Sequence, residues 1–292
     1  MSSIDQTAES RANPAELGEA LTYIRPNFTV EASDSFYVCD HPIANDAHLA
    51  ETYGSAAELM PEPSEGKQGV VLIVGNGAFE MLGHYIPPEY AVLICDRSST
   101  NLLTQRIVLE SMRNALTAEE FLEAMEQFGE DYVGLQSKGV PEYTVSDAIG
   151  QRYRDQLHEW DNVIPYFLES EDAYSAARDA LLQRAIGFRH IDLQSTDEMD
   201  TLAVDLNAQN AEVVLLNATN AFAVNWARPD SGAELTKRIP FNPDAVVMDS
   251  TGGALTSRAY RLGEWHADKE EAAKDFGVRR SASGEVIRGH TS

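Results

Sequence analysis

"GVVLIVGNGAFEMLGHYIPPEYAVLICDRSS", residues 69–99, decides the fold. It opens on an unbroken apolar run, "VVLIVG" at 70–75, passes a turn bearing Gly75 and Gly77, and closes on a second run, "YAVLICD" at 90–96, ending in Asp96. Valine, leucine and isoleucine without polar alternation suit strands of a parallel sheet covered on both faces. Parallel neighbours need a crossover between them, and "FEMLGHYI" reads as the short helix that makes it.

The same pattern continues along the chain. "FRHIDL" (188–193), "AEVVLLN" (211–217) and "DAVVMDS" (244–250) read as third, fourth and fifth strands, separated by helical stretches. Strands alternating with helices predict an α/β fold with a doubly wound, mostly parallel sheet. After the second strand, Leu102, Leu109, Met112 and Leu116 stand near helical spacing, and Thr117 with Glu120 forms a capping box for a further helix burying Phe121, Leu122, Met125 and Phe128. A helical insertion over 115–186 therefore separates the second and third strands, with "SDAIGQRYRDQLHEW" and "DAYSAARDALLQRAI" as its later helices.

Upstream, Asn13-Pro14 offers a cap and a first-turn proline for a helix with Leu17, Leu21 and Ile24 on one face. "SFYVCD" is a short β-like run, and "MPEPSEGKQG" at 60–69 has the composition of a linker. The expected organisation is an N-terminal helical or cap segment, 1–66, followed by a ligand-binding α/β domain, 67–292. The polar stretch after residue 267 shows no periodicity.

Composition narrows the partners. With 292 residues and 43% hydrophobic content the chain can bury a core without staples. Its 47 acidic against 22 basic residues leave a formal charge of -25, which repels nucleic acid and anionic membranes and keeps an acidic protein soluble. The two cysteines, Cys39 and Cys95, suggest neither a disulfide framework nor a zinc cluster, and Cys95 sits in an apolar strand as a buried thiol. No apolar run approaches the roughly 18 residues of a membrane span, and "MSSIDQTAESRANPAEL" lacks the pattern of a signal peptide, so cytoplasmic residence is expected. The seven histidines, His84 among them, show no HxxxH spacing; no metal is expected. Neither a GxSxG elbow nor a Cys-His signature occurs.

In an open α/β sheet, ligands sit beyond the carboxyl ends of the strands. Gly75-Asn76-Gly77 follows the first strand, where glycine permits a tight turn and close approach of a ligand. Asp96, with Arg97 beside it, ends the second strand at roughly the 20-residue spacing at which an acid meets ribose hydroxyls. The third glycine of a pyrophosphate-binding GxGxxG is missing, and Glu80 stands there instead. That disfavours NAD and FAD and favours a ligand with ribose but no phosphate.

These residues resemble the first two motifs of the class I S-adenosylmethionine-dependent methyltransferase fold, a Rossmann-like sheet, with "VGNGAF" as the glycine loop and Asp96 as the ribose acid. Phe79 replaces the family's third glycine, and Ile73 stands where an acid is usual. A narrower similarity links residues 95–129, "CDRSSTNLLTQRIVLESMRNALTAEEFLEAMEQFG", and 215–226, "LLNATNAFAVNW", to the 3-amino-3-carboxypropyl transferases of betaine-lipid synthesis, without that group's basic, lipid-facing character.

The resemblance implies S-adenosylmethionine as co-substrate and a small-molecule acceptor that the residues do not identify; oligomeric state stays open. Attack on the γ-carbon of the methionine chain would transfer the aminocarboxypropyl group, or cyclise it, and release methylthioadenosine. Attack on the methyl would be ordinary methyl transfer. A non-catalytic nucleoside-binding module is the alternative of another class, and an NAD-dependent oxidoreductase a weaker one.

Catalytic candidates are Asn217, Thr219 and Asn220 after the fourth strand: Asn217 to accept a hydrogen bond from an attacking amine, the others to hold the amino-acid moiety. Capping of the next helix is the competing role for all three. Asp192 is either an adenine contact or a turn residue. Tyr37, with Phe36, Tyr23 and Phe28, is either an aromatic cap over the sulfonium or core.

Overall fold

The two apolar runs of residues 69–99 form strands β1 (Gln68–Val74) and β2 (Ala91–Asp96), parallel and in register from Val70 opposite Ala91 to Val74 opposite Cys95. The computed structural model describes residues 49–75, 81, 85–97, 99–124, 166–184, 186–218, 231–250, 257–267 and 269, together with Ala20. Within these lie helices α1 (Leu49–Leu59), α2 (Ser99–Asn114), α3 (Glu171–Leu182), α4 (Thr196–Ala208) and α5 (Ser231–Arg238), and strands β3 (Ile186–His190), β4 (Ala211–Asn217), β5 (Phe241–Ser250) and β6 (Ser257–Arg261).

The six strands run in the order β3-β2-β1-β4-β5-β6, parallel except for β6, which pairs antiparallel with β5. This is a mostly parallel α/β sheet whose strand order reverses between β1 and β4. Alternation along each strand sends side chains to two separate cores. Val71, Ile73, Val92, Ile94 and Phe188 face one of them, which holds α1, α2 and α3 and the crossover residues Met81 and Ile86. Val70, Leu72, Leu93, Cys95 and Leu216 face the other, closed by Met199, Leu202 and Leu206 of α4 and Leu235 of α5. Covering on both faces explains why the central strands carry no polar alternation.

The ends of the insertion meet. Phe121 stands edge-on to Phe167, with ring centroids 5.7 Å apart, and tilted against Tyr174 at 5.9 Å. The Tyr174 hydroxyl donates to the Ala115 carbonyl, and Arg178 donates to the carbonyls of Met112 and Arg113, capping the last turn of α2. Burial pushes the Tyr174 phenol up to about 12, against an opposing pull from Arg178 and with smaller pushes from Glu120 and Glu171. The helix expected over 146–160 and the N-terminal elements before residue 49 lie outside the described residues, Ala20 apart.

The third and fifth strands are bounded differently from the sequence expectation, and a sixth strand is added. The third strand ends at His190, because Asp192 starts a turn: its Oδ1 accepts the Gln194 amide and its carbonyl the Ser195 amide. Ile191 and Leu193 remain buried beyond the strand, which is why the apolar pattern overran its end. The fifth strand starts at Phe241, and β6 completes a hairpin that the sequence did not reveal.

The linker-like stretch before β1 is bound to the sheet. Glu212, only 1% exposed near the start of β4, accepts hydrogen bonds from the Ser64 amide (2.7 Å), the Ser64 hydroxyl (3.0 Å) and Asn242 Nδ2 (2.7 Å), and lies 3.2 Å from Lys67 Nζ. Burial alone would raise its pKa, but these donors outweigh burial and hold the carboxyl below its ordinary value. A depressed folded-state pKa contributes stability that is present above the unfolded value and lost as pH falls through the folded one. Denaturant unfolding across the acid range should therefore show a stability loss in wild type that is shallower in Glu212→Gln; equal slopes would disprove this role.

Candidate functional site

Four neighbouring strands bring one residue each to the same edge and face of the sheet. β1 runs into Gly75, β2 ends at Asp96, β3 at His190 and β4 at Asn217. Alternation from Ile73, Ile94, Phe188 and Leu215 places all four on the face that carries α2 and α3.

Gly75 has φ 74°, a conformation that costs a side-chain-bearing residue strain, and its amide donates to the Cys95 carbonyl at 2.9 Å. The chain thus turns away from β1 just where strand order reverses, the place at which ligands enter such sheets. Asp96 lies one strand over and is partly exposed. Its carbonyl accepts the Ile191 amide at 2.9 Å, so the β2–β3 ladder extends past the last residue of β3. Arg97 is exposed, and its carbonyl lies 2.9 Å from His190 Nε2.

No family model matches this chain, and no curated protein is significantly similar to it.

Asn217 is fully buried, and its Nδ2 donates to Met81 Sδ at 3.5 Å. Sulfur is a weak acceptor, so this bond fastens β4 to the β1–β2 crossover loosely. Asp192 is partly buried; besides the turn bonds of its own oxygens, its amide donates to the carboxylate of Glu198 in the first turn of α4. Cys95 points to the opposite core, where burial drives the thiol pKa far up against a weaker pull from Arg189. It is a packing residue rather than a nucleophile.

Asn76, Gly77, Thr219, Asn220 and Tyr37 lie outside the described residues, as do Phe79, Glu80 and His84. Gly75, Asp96, Arg97 and Asn217 are thus the sequence candidates gathered at this edge, with Asp192 just beyond β3. His190 joins them from a position the sequence placed inside a strand. Its only sequence signal was the turn chemistry of Asp192 and Ser195, which moves the strand end back to it.

Among the described residues, no group of three or more His, Cys, Asp and Glu side chains is placed to hold a metal ion, and no helix is long and apolar enough to cross a membrane. What the edge offers is a carboxylate, a glycine at the end of β1 and a histidine ring. That set accepts hydrogen bonds from hydroxyls and amines.

Proposed function

We propose that this protein is an S-adenosylmethionine-dependent transferase, with attack on the γ-carbon of the methionine chain as its chemistry. The observation that carries the proposal is Asp96, a partly exposed carboxylate ending the strand beside Gly75 at the reversal of strand order. A carboxylate there suits the paired hydroxyls of a ribose, and Gly75, lacking a side chain, leaves room beside it. The mostly parallel sheet with one antiparallel edge strand is compatible with the class I methyltransferase type.

The sulfonium, when bound, supplies its own activation, so the chain's task is to position the ligand and its acceptor. Asp96 would fix the ribose through charge-assisted hydrogen bonds. The backbone at Gly75 would set the depth of the ligand over β1. Asn217 would keep the floor of the site in place through Met81, with Thr219 and Asn220 proposed for the amino-acid moiety. The γ-carbon branch rests on the similarity of residues 95–129 to aminocarboxypropyl transferases. The burial of Asn217 against Met81 favours a second reading, a nucleoside-binding module without catalysis, because a buried amide is poorly placed to meet an incoming amine.

One incubation separates these. Purified protein with S-adenosylmethionine, alone and with a panel of small amines, should release methylthioadenosine, identified by mass. S-adenosylhomocysteine instead would mean methyl transfer, and tight binding without either product would mean the module. Absence of calorimetric binding by S-adenosylmethionine and both product nucleosides would falsify the proposal.

A further inference from the structure

Residues 49–67 are fastened to the molecule more by polar bonds than by a core of their own. Among the described side chains of α1 only Thr52, Tyr53 and Ala56 are buried, and a helix of 11 residues is marginal in water by itself. The stretch after it, 60–67, runs along the edge of the sheet opposite the candidate site, and carbonyls along it are gripped from separate strands. That of Leu59 accepts from Arg261 Nη1 at 2.8 Å, that of Glu62 from Asn242 Nδ2 at 3.2 Å and that of Gly66 from Asn210 Nδ2 at 2.6 Å.

Glu212 is where these bonds converge. Its carboxylate is ringed by donors: the Ser64 amide and hydroxyl, Asn242 Nδ2 and Lys67 Nζ. Protonation would bring one more hydrogen into a shell of donors, where only the Ser64 hydroxyl can turn to accept it, and would leave Lys67 without its counter-charge. Other charged groups on the packed elements do not take over the role. Glu58, Glu62, Glu65 and Asp244 are exposed, while Arg261 is spent on the carbonyls of Leu59 and Asp244, and Arg238 on Asp200 and Glu234.

We propose that residues 49–67 form a latch pinned by Glu212, which opens as one unit ahead of the central strands when that carboxylate is protonated. Opening takes Tyr53 away from Tyr85, whose ring stands 5.8 Å from it in the β1–β2 crossover. Met81 of the same crossover is the sulfur to which Asn217 donates, so release of the latch reaches the candidate site from the far edge of the sheet. Burial pushes the closed-state carboxyl up, but its donors pull it below the ordinary value that it regains when the latch is open. The latch is therefore tightest above the ordinary carboxylate range and loosens as pH falls through that range toward the closed-state value.

The test is hydrogen exchange by mass spectrometry on the full chain from about pH 7 down to about pH 3.5, corrected for the intrinsic pH dependence of exchange. In wild type, protection of 49–67 and of residues 85–90 should fall by about tenfold or more relative to β1 and β4. Lys67→Met weakens the pull on the carboxyl, so its latch should start less protected at neutral pH and lose less on acidification. Glu212→Gln presents amide hydrogens toward Lys67 at every pH; it should be the loosest at neutral pH and show no such fall. The Lys67 side chain is 39% exposed, so Lys67→Met carries the comparison if Glu212→Gln does not fold. Protection of 49–67 that follows β1 and β4 at every pH overturns the latch, as does a wild-type pH response that persists in Glu212→Gln or is unchanged in Lys67→Met.

Discussion

Replacing Asp249 with alanine is expected to destabilise the protein by about 3 kcal/mol, read as a fall in the urea midpoint at unchanged slope and a drop of roughly 6 to 12 °C in Tm. Asp249, near the end of β5, is 2% exposed on the face away from the candidate site. One of its oxygens, Oδ2, accepts the Trp265 indole N–H at 2.8 Å and lies 2.6 Å from Lys269 Nζ. The same ammonium sits 5.5 Å from the centre of the Trp265 ring. Trp265 is fully packed, and a side chain on Gly232 would meet both Trp265 and Lys269 at about 3 Å. The carboxylate therefore clips the segment after β6 onto α5 and the sheet. Its loss strands an indole donor and a largely buried ammonium at once, and breaking one member of a buried pair costs more than the pair contributes. Asp249→Asn retains an acceptor for the indole and should lose less. Equal midpoints for wild type and Asp249→Ala would show that Lys269 escapes to solvent and that the clip carries no stability.

The clip also shows where sequence reading stops. Central strands were legible because burial on both faces forces unbroken apolar runs, as at 70–75 and 90–96. β6, with Arg258 and Arg261 in five residues, carries no such run, since an antiparallel edge strand needs only one apolar face. Arg261 instead donates to the carbonyls of Leu59 and Asp244, tying α1 to the hairpin, and partners that far apart in the chain leave no local pattern. Glu212 was hidden for the opposite reason: a single acid in "AEVVLLN" looks like a strand terminus facing water, whereas Ser64, Lys67 and Asn242 bury it. At the site, Gly75 and Asp96 could be read because backbone freedom and an acid at a strand end are local properties. His190 could not, because its importance depends on where the strand stops, and Ile191 and Leu193 mask that point.

Asp96→Ala should weaken binding of S-adenosylhomocysteine by on the order of 1.5 to 3 kcal/mol, about tenfold to 150-fold in Kd. The effect is expected on binding and not on stability. Asp96 is partly exposed, and its main-chain bonds to β3 survive the substitution, so thermal unfolding should stay near wild type. Asp96→Asn keeps the size and one acceptor oxygen but loses the charge that strengthens both hydrogen bonds, and should fall between the two. A ligand change isolates the interaction from indirect effects. If the carboxylate meets the ribose, a 2'-deoxy ligand should bind wild type more weakly yet bind Asp96→Ala almost as well as the parent nucleoside, because the same hydrogen bond cannot be lost twice. Equal sensitivity to the 2'-hydroxyl in both proteins would place the sugar elsewhere.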